Sequence, residues 1–180
     1  MKRFCVITNR DKEDSNRKAV YIQEYLEQKG GKCLILENRR VISEGVLHYT
    51  EADKIPEETE CVLVLGGDGT MIQAAIDLVH SKLPILGINM GTVGFLTEVE
   101  PQNLERALDL MLQDKYTIEN RIMLRESSVT PTGTSSGKAC YALNDVVLSK
   151  RGDCRLITIK VYINDELADI YRADGLIIST

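Results

Sequence analysis

The apolar run Cys61-Val62-Leu63-Val64-Leu65 passes directly into Gly66-Gly67-Asp68-Gly69-Thr70, and a helical stretch over 71–80 comes next. A short, wholly apolar run reads as a strand buried on both faces. A strand that turns straight into a helix belongs to a parallel sheet. At such a junction backbone N–H groups and the positive end of the helix converge, so phosphates can be held without any side chain. Glycines at 66, 67 and 69 are expected to clear the Cβ atoms that would block phosphate oxygens, and to tolerate the backbone angles of the turn. Thr70 completes this loop. Asp68 stands out, because a carboxylate repels phosphate. Its presence makes sense if it accepts a proton from an attacking hydroxyl or holds a metal that bridges phosphate oxygens. The bland alternative is an Asp-Gly turn that merely joins strand to helix, and three glycines around one acid weigh against it.

The 180 residues, 43% apolar with a mean hydropathy of -0.13, suffice for a real core in one domain or two small ones. A net charge of -5 and a pI near 5.2 argue against nucleic acid or an anionic membrane as partner, since both need a basic face. The N-terminus has too short an apolar run for a secretory signal, and no stretch is long enough to span a bilayer, so a cytoplasmic location is expected. Five cysteines cannot all pair, and none forms a Cys-x-x-Cys pair. Cys5, Cys33 and Cys61 lie at apolar runs, and Cys140 and Cys154 flank another; all five read as reduced thiols without chemistry. His48 and His80 show no ligand pattern, and no structural metal site is assigned.

The first part of the chain alternates strand and helix signals, the pattern of a parallel sheet with helices on its faces. Residues 3–8 read as a strand, Ser15 as the N-cap of a helix buried through Ala19, Ile22 and Leu26, and Gly30-Gly31 as its stop. Residues 32–36 form a second strand. The polar stretch 37–60 reads as a long loop with at most a short strand. Residues 61–65 and 85–88 are two more buried strands around a helix carrying Met71, Ala75, Leu78 and Val79. Pro101 opens a last helix at a position that needs no N–H, with Leu104, Ala107, Leu108 and Met111 facing the core. From Tyr116 the period changes. Residues 116–125, 141–148, 156–163, 167–172 and 176–179 read as strands, 130–137 as a turn, and Ile163-Asn164-Asp165-Glu166-Leu167 as a hairpin. The expected fold class is therefore α/β. A Rossmann-like parallel sheet over 1–115 precedes part of an antiparallel β-sandwich domain over 116–180.

Two common nucleotide signatures are missing. No G-x-x-x-x-G-K-[ST] occurs, and Thr8-Asn9-Arg10-Asp11 stands where a dinucleotide G-x-G-x-x-G would follow the first strand. The chain instead resembles a kinase superfamily. Gly66-Gly67-Asp68-Gly69-Thr70 is shared by NAD kinases, diacylglycerol and sphingosine kinases and, in a near form, phosphofructokinases. Three further segments resemble bacterial NAD kinases in order along the chain. These are Gly87-Ile88-Asn89-Met90-Gly91-Thr92-Val93-Gly94-Phe95-Leu96-Thr97-Glu98, Leu143-Asn144-Asp145-Val146-Val147, and Tyr171-Arg172-Ala173-Asp174-Gly175-Leu176-Ile177-Ile178-Ser179-Thr180.

The resemblance implies phosphorylation of the adenosine ribose 2′-hydroxyl of NAD to give NADP, with ATP or polyphosphate as donor and a divalent metal, usually Mg²⁺. It makes Asp68 the catalytic base, and Gly66, Gly67, Gly69 and Thr70 the phosphate loop. Asp68, Gly69, Asn144, Asp145, Arg155, Arg172 and Asp174 become the NAD-binding set. Asn144 and Asp145 suit the adenine and ribose hydroxyls. Asp174 faces the nicotinamide end, and Arg155 and Arg172 reach the dinucleotide, across a subunit interface in a dimer or tetramer. Asn89 and Thr92 shape the same crevice. On residue type alone, Asn144-Asp145 is a polar strand start and both arginines are solvated strand residues. Gln73 stands where many relatives carry an arginine. The family continues past Ser179-Thr180 with a further glycine-containing segment and strands, so the chain resembles an N-terminal part. Residues 176–179 are expected at a sheet edge or paired with another chain. The rival readings are a nucleotide-binding module without turnover and, on a membrane, a lipid kinase.

Overall fold

The computed structural model describes residues 1–9, 13–38, 41–43, 46–91, 94–129, 139–152 and 155–180. Arg10, Asp11, Thr92, Cys154 and the turn expected over 130–137 lie outside the described residues. The contacts divide the chain into two units, Met1–Asn120 and Arg121–Thr180.

In the first unit, strands β1 (Arg3–Asn9), β2 (Lys32–Asn38), β5 (Cys61–Gly66) and β6 (Ile85–Asn89) form one parallel sheet in the order β2-β1-β5-β6. Every residue of β5 is buried. Alternate side chains sort to two faces, as a strand's period of two requires. Phe4, Val6, Cys61, Leu63 and Leu65 pack with α1 (Glu13–Gln28) and α3 (Leu104–Leu112). Cys5, Ile7, Val62 and Val64 pack with Ile55 and with Ala74 and Leu78, from α2 (Asp68–Asp77) and its C-cap. Helices therefore cover both faces, as expected.

The helix boundaries differ from the sequence reading. Ser15 is not an N-cap: it lies buried within α1, which begins at Glu13 with Glu13 and Asp14 in its first turn, where acids suit the helix dipole. Helix α2 starts inside the glycine loop, capped by Gly67, and ends at Asp77. A 3₁₀ turn, Pro101–Asn103, precedes α3, whose Leu104, Leu108 and Met111 are buried.

The polar stretch 37–60 holds an antiparallel pair, β3 (Val41–Ser43) with β4 (Val46–His48), and a 3₁₀ turn, Ala52–Lys54. Strands of three residues are too short to show a period. Asp77, whose side chain is 1% exposed, anchors the end of β4 and the two residues after it. It accepts bonds from the Tyr49 N–H at 3.0 Å, the Thr50 N–H at 2.9 Å and the Gln73 amide at 3.0 Å, and lies 3.2 Å from His48 Nδ1. Gln73 is thus engaged along its own helix.

Among its described residues the second unit holds three antiparallel ladders: β7 (Leu124–Glu126) with β8 (Cys140–Ala142), β9 (Asp145–Ser149) with β12 (Gly175–Ser179), and β10 (Ile157–Ile163) with β11 (Glu166–Ala173). Asn164 and Asp165 join β10 to β11 with φ of 49° and 69°, the left-handed pair that a two-residue hairpin turn demands. The alternation at 116–125 does not make a strand before Leu124. Ile118 and Ile122 are 56% and 74% exposed, so no core selects the extended pairing. The strand expected over 141–148 is broken where Leu143 turns inward and the Leu143 and Asn144 carbonyls accept from Thr180. Residues 176–179 stand at a sheet edge: β12 lies against β9 from Gly175↔Ser149 to Ser179↔Asp145, with no second neighbour among the described strands. Leu143 and Ile159 are the buried hydrophobics among this unit's described residues. No helix among the described residues is long and apolar enough to cross a membrane.

Two outcomes test this packing. Leu63→Ala, at a fully buried site on β5, should cost about 2–5 kcal/mol in urea unfolding, and Val20→Ala on the exposed side of α1 less than about 0.5 kcal/mol. Burial pushes the Cys5, Cys33 and Cys61 thiols up to about 12. A thiol reagent at neutral pH should therefore label exposed Cys140 in the native protein and those three only on unfolding.

Candidate functional site

The strand order places β1's two partners on opposite sides: the chain steps from β1 out to β2, then returns to add β5 on the other edge. Open α/β sheets take ligands at such a switch point, in the crevice outside the carboxyl ends of the strands. Thr8 and Asn9 end β1 there, and Gly66 ends β5, opposite Asn89 on β6.

The three loop glycines serve two different purposes. A Cβ on Gly66 would lie 2.5 Å from Thr70 Oγ1, so packing against Thr70 requires glycine there. A Cβ on Gly67 or Gly69 would meet no described atom within 4 Å, which leaves the space in front of both for a ligand. None of the three has a left-handed φ, so the expectation that the turn needs special angles is corrected: Gly67 is extended, with φ -108° and ψ -171°. The Thr70 and Met71 N–H groups donate to the Gly67 carbonyl at 3.0 and 3.1 Å, closing the first turn of α2.

Asp68 is the first residue of α2. Its Oδ2 accepts the Phe95 N–H at 2.7 Å, and its Oδ1 accepts the Leu96 N–H at 3.0 Å and faces Thr97 Oγ1 at 3.5 Å. The Phe95 and Leu96 amides hold its carboxyl below the usual carboxylate range, against a smaller opposing effect of desolvation. The segment that supplies these donors comes after β6. Asn89, buried at the end of β6, accepts the Gly91 N–H at 2.7 Å, and the Met90 N–H donates to the Gly66 carbonyl at 3.2 Å. Asn89 thus shapes the loop beside the acid. Sequence reasoning gave no role to Phe95, Leu96 and Thr97. Two of these contacts are backbone amides, which no residue type announces. Phe95 itself was visible as the lone aromatic of a glycine-rich segment, and its ring is 98% exposed.

The remaining predicted residues belong to the second unit. Asn144 and Asp145 are exposed at the start of β9, where Asp145 pairs with Ser179. Asp174 adjoins the other end of the same ladder, with an ion pair from its carboxylate to Lys150 and a 2.9 Å bond from the Lys150 N–H to its carbonyl. Four strand steps separate these ends, roughly 13 Å. Arg155 and Arg172 are exposed, Arg155 before β10 and Arg172 on β11 opposite Thr158. The structure therefore gathers Gly66, Gly67, Asp68, Gly69 and Thr70 into one loop, and sets Asn144-Asp145 apart from Asp174.

Residues 4–116 match the family model described as the ATP-NAD kinase N-terminal domain. The chain belongs to the ATP-NAD kinase family. Along its whole length it is 41% identical to an NAD kinase of Lachnoclostridium phytofermentans, and over 99% of its length 36% identical to one of Thermococcus kodakarensis. It spans 62% of the length of each. The yeast NADH kinase solved in complex with NADH shares the fold, with a TM-score of 0.74 at 20% identity, covering 99% of this chain and 57% of that one.

The Asp68 clamp has a measurable signature. The folded carboxyl binds its proton less readily than in the unfolded chain, so between the two pKa values the unfolded state holds more protons and stability rises with pH. The stabilisation is complete above the ordinary carboxylate value and is lost as pH falls through the folded value. Asp68→Asn should therefore be less stable than the parent at neutral pH, with the difference shrinking below about pH 4. A difference that stays constant from pH 7 to pH 3 in chemical denaturation would contradict the clamp.

Proposed function

We propose that this chain carries the phosphate loop and part of the dinucleotide surface of an NAD kinase. That enzyme would transfer a phosphoryl group from ATP or polyphosphate to the 2′-hydroxyl of the adenosine ribose of NAD, giving NADP. The observation that carries this reading is a single carboxylate, Asp68, fixed between two glycines with open space before them, at the switch point of a parallel sheet.

Balanced, the step forms a bond from the 2′-oxygen to the donor's terminal phosphorus, breaks that phosphorus–oxygen bond to the leaving phosphate, and passes the hydroxyl proton to Asp68. Amide bonds that lower the proton affinity of Asp68 make it a weak base toward a resting alcohol. Its work is to orient the hydroxyl as an acceptor and to take the proton late, once bond formation to phosphorus has acidified it, as in a loose phosphoryl transfer. The Gly67 and Gly69 backbone and the N-terminus of α2 suit the donor phosphates.

No cluster of three metal-ligating side chains occurs among the described residues. Magnesium sites of this chemistry use one or two carboxylates plus substrate phosphates, so the ion fits as a passenger on the donor with Asp68 as the nearby acid. When bound it would neutralise charge on the phosphate oxygens.

Asn144 and Asp145 offer donors and acceptors to the adenine and ribose hydroxyls, and Asp174 to the nicotinamide end, a spacing suited to an extended dinucleotide. Arg155 and Arg172 are exposed cations available to its phosphates, within a cytoplasmic dimer or tetramer. The exposed Phe95 ring offers a stacking face to a base.

The test is an enzymatic cycling assay for NADP with NAD, ATP and MgCl₂, beside calorimetric titrations. Asp68→Asn should lower turnover by roughly 10²- to 10⁴-fold. Near-normal NADP formation by that variant would remove Asp68 from the role. NAD binding without any product would favour a nucleotide-binding module. Asn144→Ala and Asp145→Ala should each weaken NAD binding by about 0.5–3 kcal/mol and leave ATP binding less affected; equal losses would reject their assignment.

A further inference from the structure

The case for glycine at 94 lies in the space beside its Cα, and the described glycines with left-handed φ are Gly30 and Gly152. The space beside the Gly94 Cα is already taken. A Cβ built there would lie 2.1 Å from Asp68 Oδ1, 2.5 Å from its Cγ and 2.8 Å from its Oδ2, so the carboxylate fills the volume that any side chain would need. Gly91, three residues earlier in the same loop, would place its Cβ in space free of described atoms. The next three residues after Gly94 then supply the hydrogen bonds of that carboxylate, through the Phe95 and Leu96 amides and the Thr97 hydroxyl.

We infer that Gly94 is a positioning residue for Asp68: the missing side chain opens a seat in which the following two amides and the threonine hydroxyl clamp the carboxylate. For its kinetic consequence this rests on the kinase reading above; the seat itself does not. The clamp also distinguishes the two oxygens. Oδ1 accepts the Leu96 amide and faces the Thr97 hydroxyl, whereas the bond to Oδ2 comes from the Phe95 amide. Oδ2, with the fewer side-chain and amide contacts, is the oxygen assigned to an incoming hydroxyl. A methyl group at 94 would evict the carboxylate from both amides and turn the acceptor away from the crevice.

The test follows the Phe95 and Leu96 amides of the full chain by ¹H–¹⁵N NMR, with Asp68→Ala as the reference for an empty seat. In Gly94→Ala both amide resonances should move toward their Asp68→Ala positions and exchange faster with solvent, and Gly91→Ala should leave both at their parent positions. Parent-like resonances and exchange in Gly94→Ala overturn the inference. Should Gly94→Ala fail to fold, the same substitution in an Asp68→Ala background decides. With the carboxylate gone the methyl has room, so the double variant should fold, and its failure would reject the seat. In the NADP assay, misplacing the acid should cost about 10²-fold in kcat with KM for ATP nearly unchanged. The amide comparison judges the seat whether or not the chain forms NADP.

Discussion

Strand β5 is buried from Cys61 to Gly66 and lies between β1 and β6, hydrogen-bonded to both. Leu63 and Leu65 face α1 and α3, and Val62 and Val64 face α2. A strand so confined cannot slip in register, because a shift of one residue would turn each apolar side chain to the opposite layer. Its end is therefore a fixed point, and the loop that leaves it inherits the fixity. The placing of Asp68 follows from the pairing of β5 before any contact of Asp68 itself is counted.

Those contacts set up a tension between holding the acid and using it. Amides that fix a carboxylate also reduce its appetite for a proton. For a reaction that needs strong deprotonation at the start, that would be a poor arrangement. For phosphoryl transfer, where positioning and charge stabilisation do most of the catalysis, a well-held weak base is appropriate. The same reasoning explains why the donors are backbone N–H groups. They carry no net charge and so leave the carboxylate's own charge in place.

The parallel sheet was legible because its strands hold short apolar runs followed by turn or helix signals, and in β5 and most of β1 burial on both faces leaves no polar alternation to confuse the reading. Asn164-Asp165 was legible because few residues accept two consecutive left-handed angles. Tyr116, Ile118 and Ile122 misled, since alternation predicts a strand only where a core covers one face, and here the isoleucines stay exposed. Strands β3 and β4 were legible only as a short strand within a long loop, because three residues each show no period. At the site, the acid and its glycines could be read from residue type. The Phe95 and Leu96 amides could not, because every residue but proline has one, and only the course of the loop after β6 decides which of them point at Asp68.

The crevice at the switch point is also a seam in the folding of the chain. Strand β1 with α1 and β2 forms one local unit, and β5 with α2 and β6 another, each closed over a few dozen residues. They join through β1 and β5, where Phe4 meets Cys61 across 57 positions of sequence. Long loop closures of this kind are slow relative to local ones, so the two halves are expected to form before they meet. A ligand that touches both sides of the seam binds the joined state and not the separated halves, and by mass action it would hold them together. Occupancy by such a ligand would then be felt as mechanical resistance along β1 and β5, the pairing through which the two halves meet.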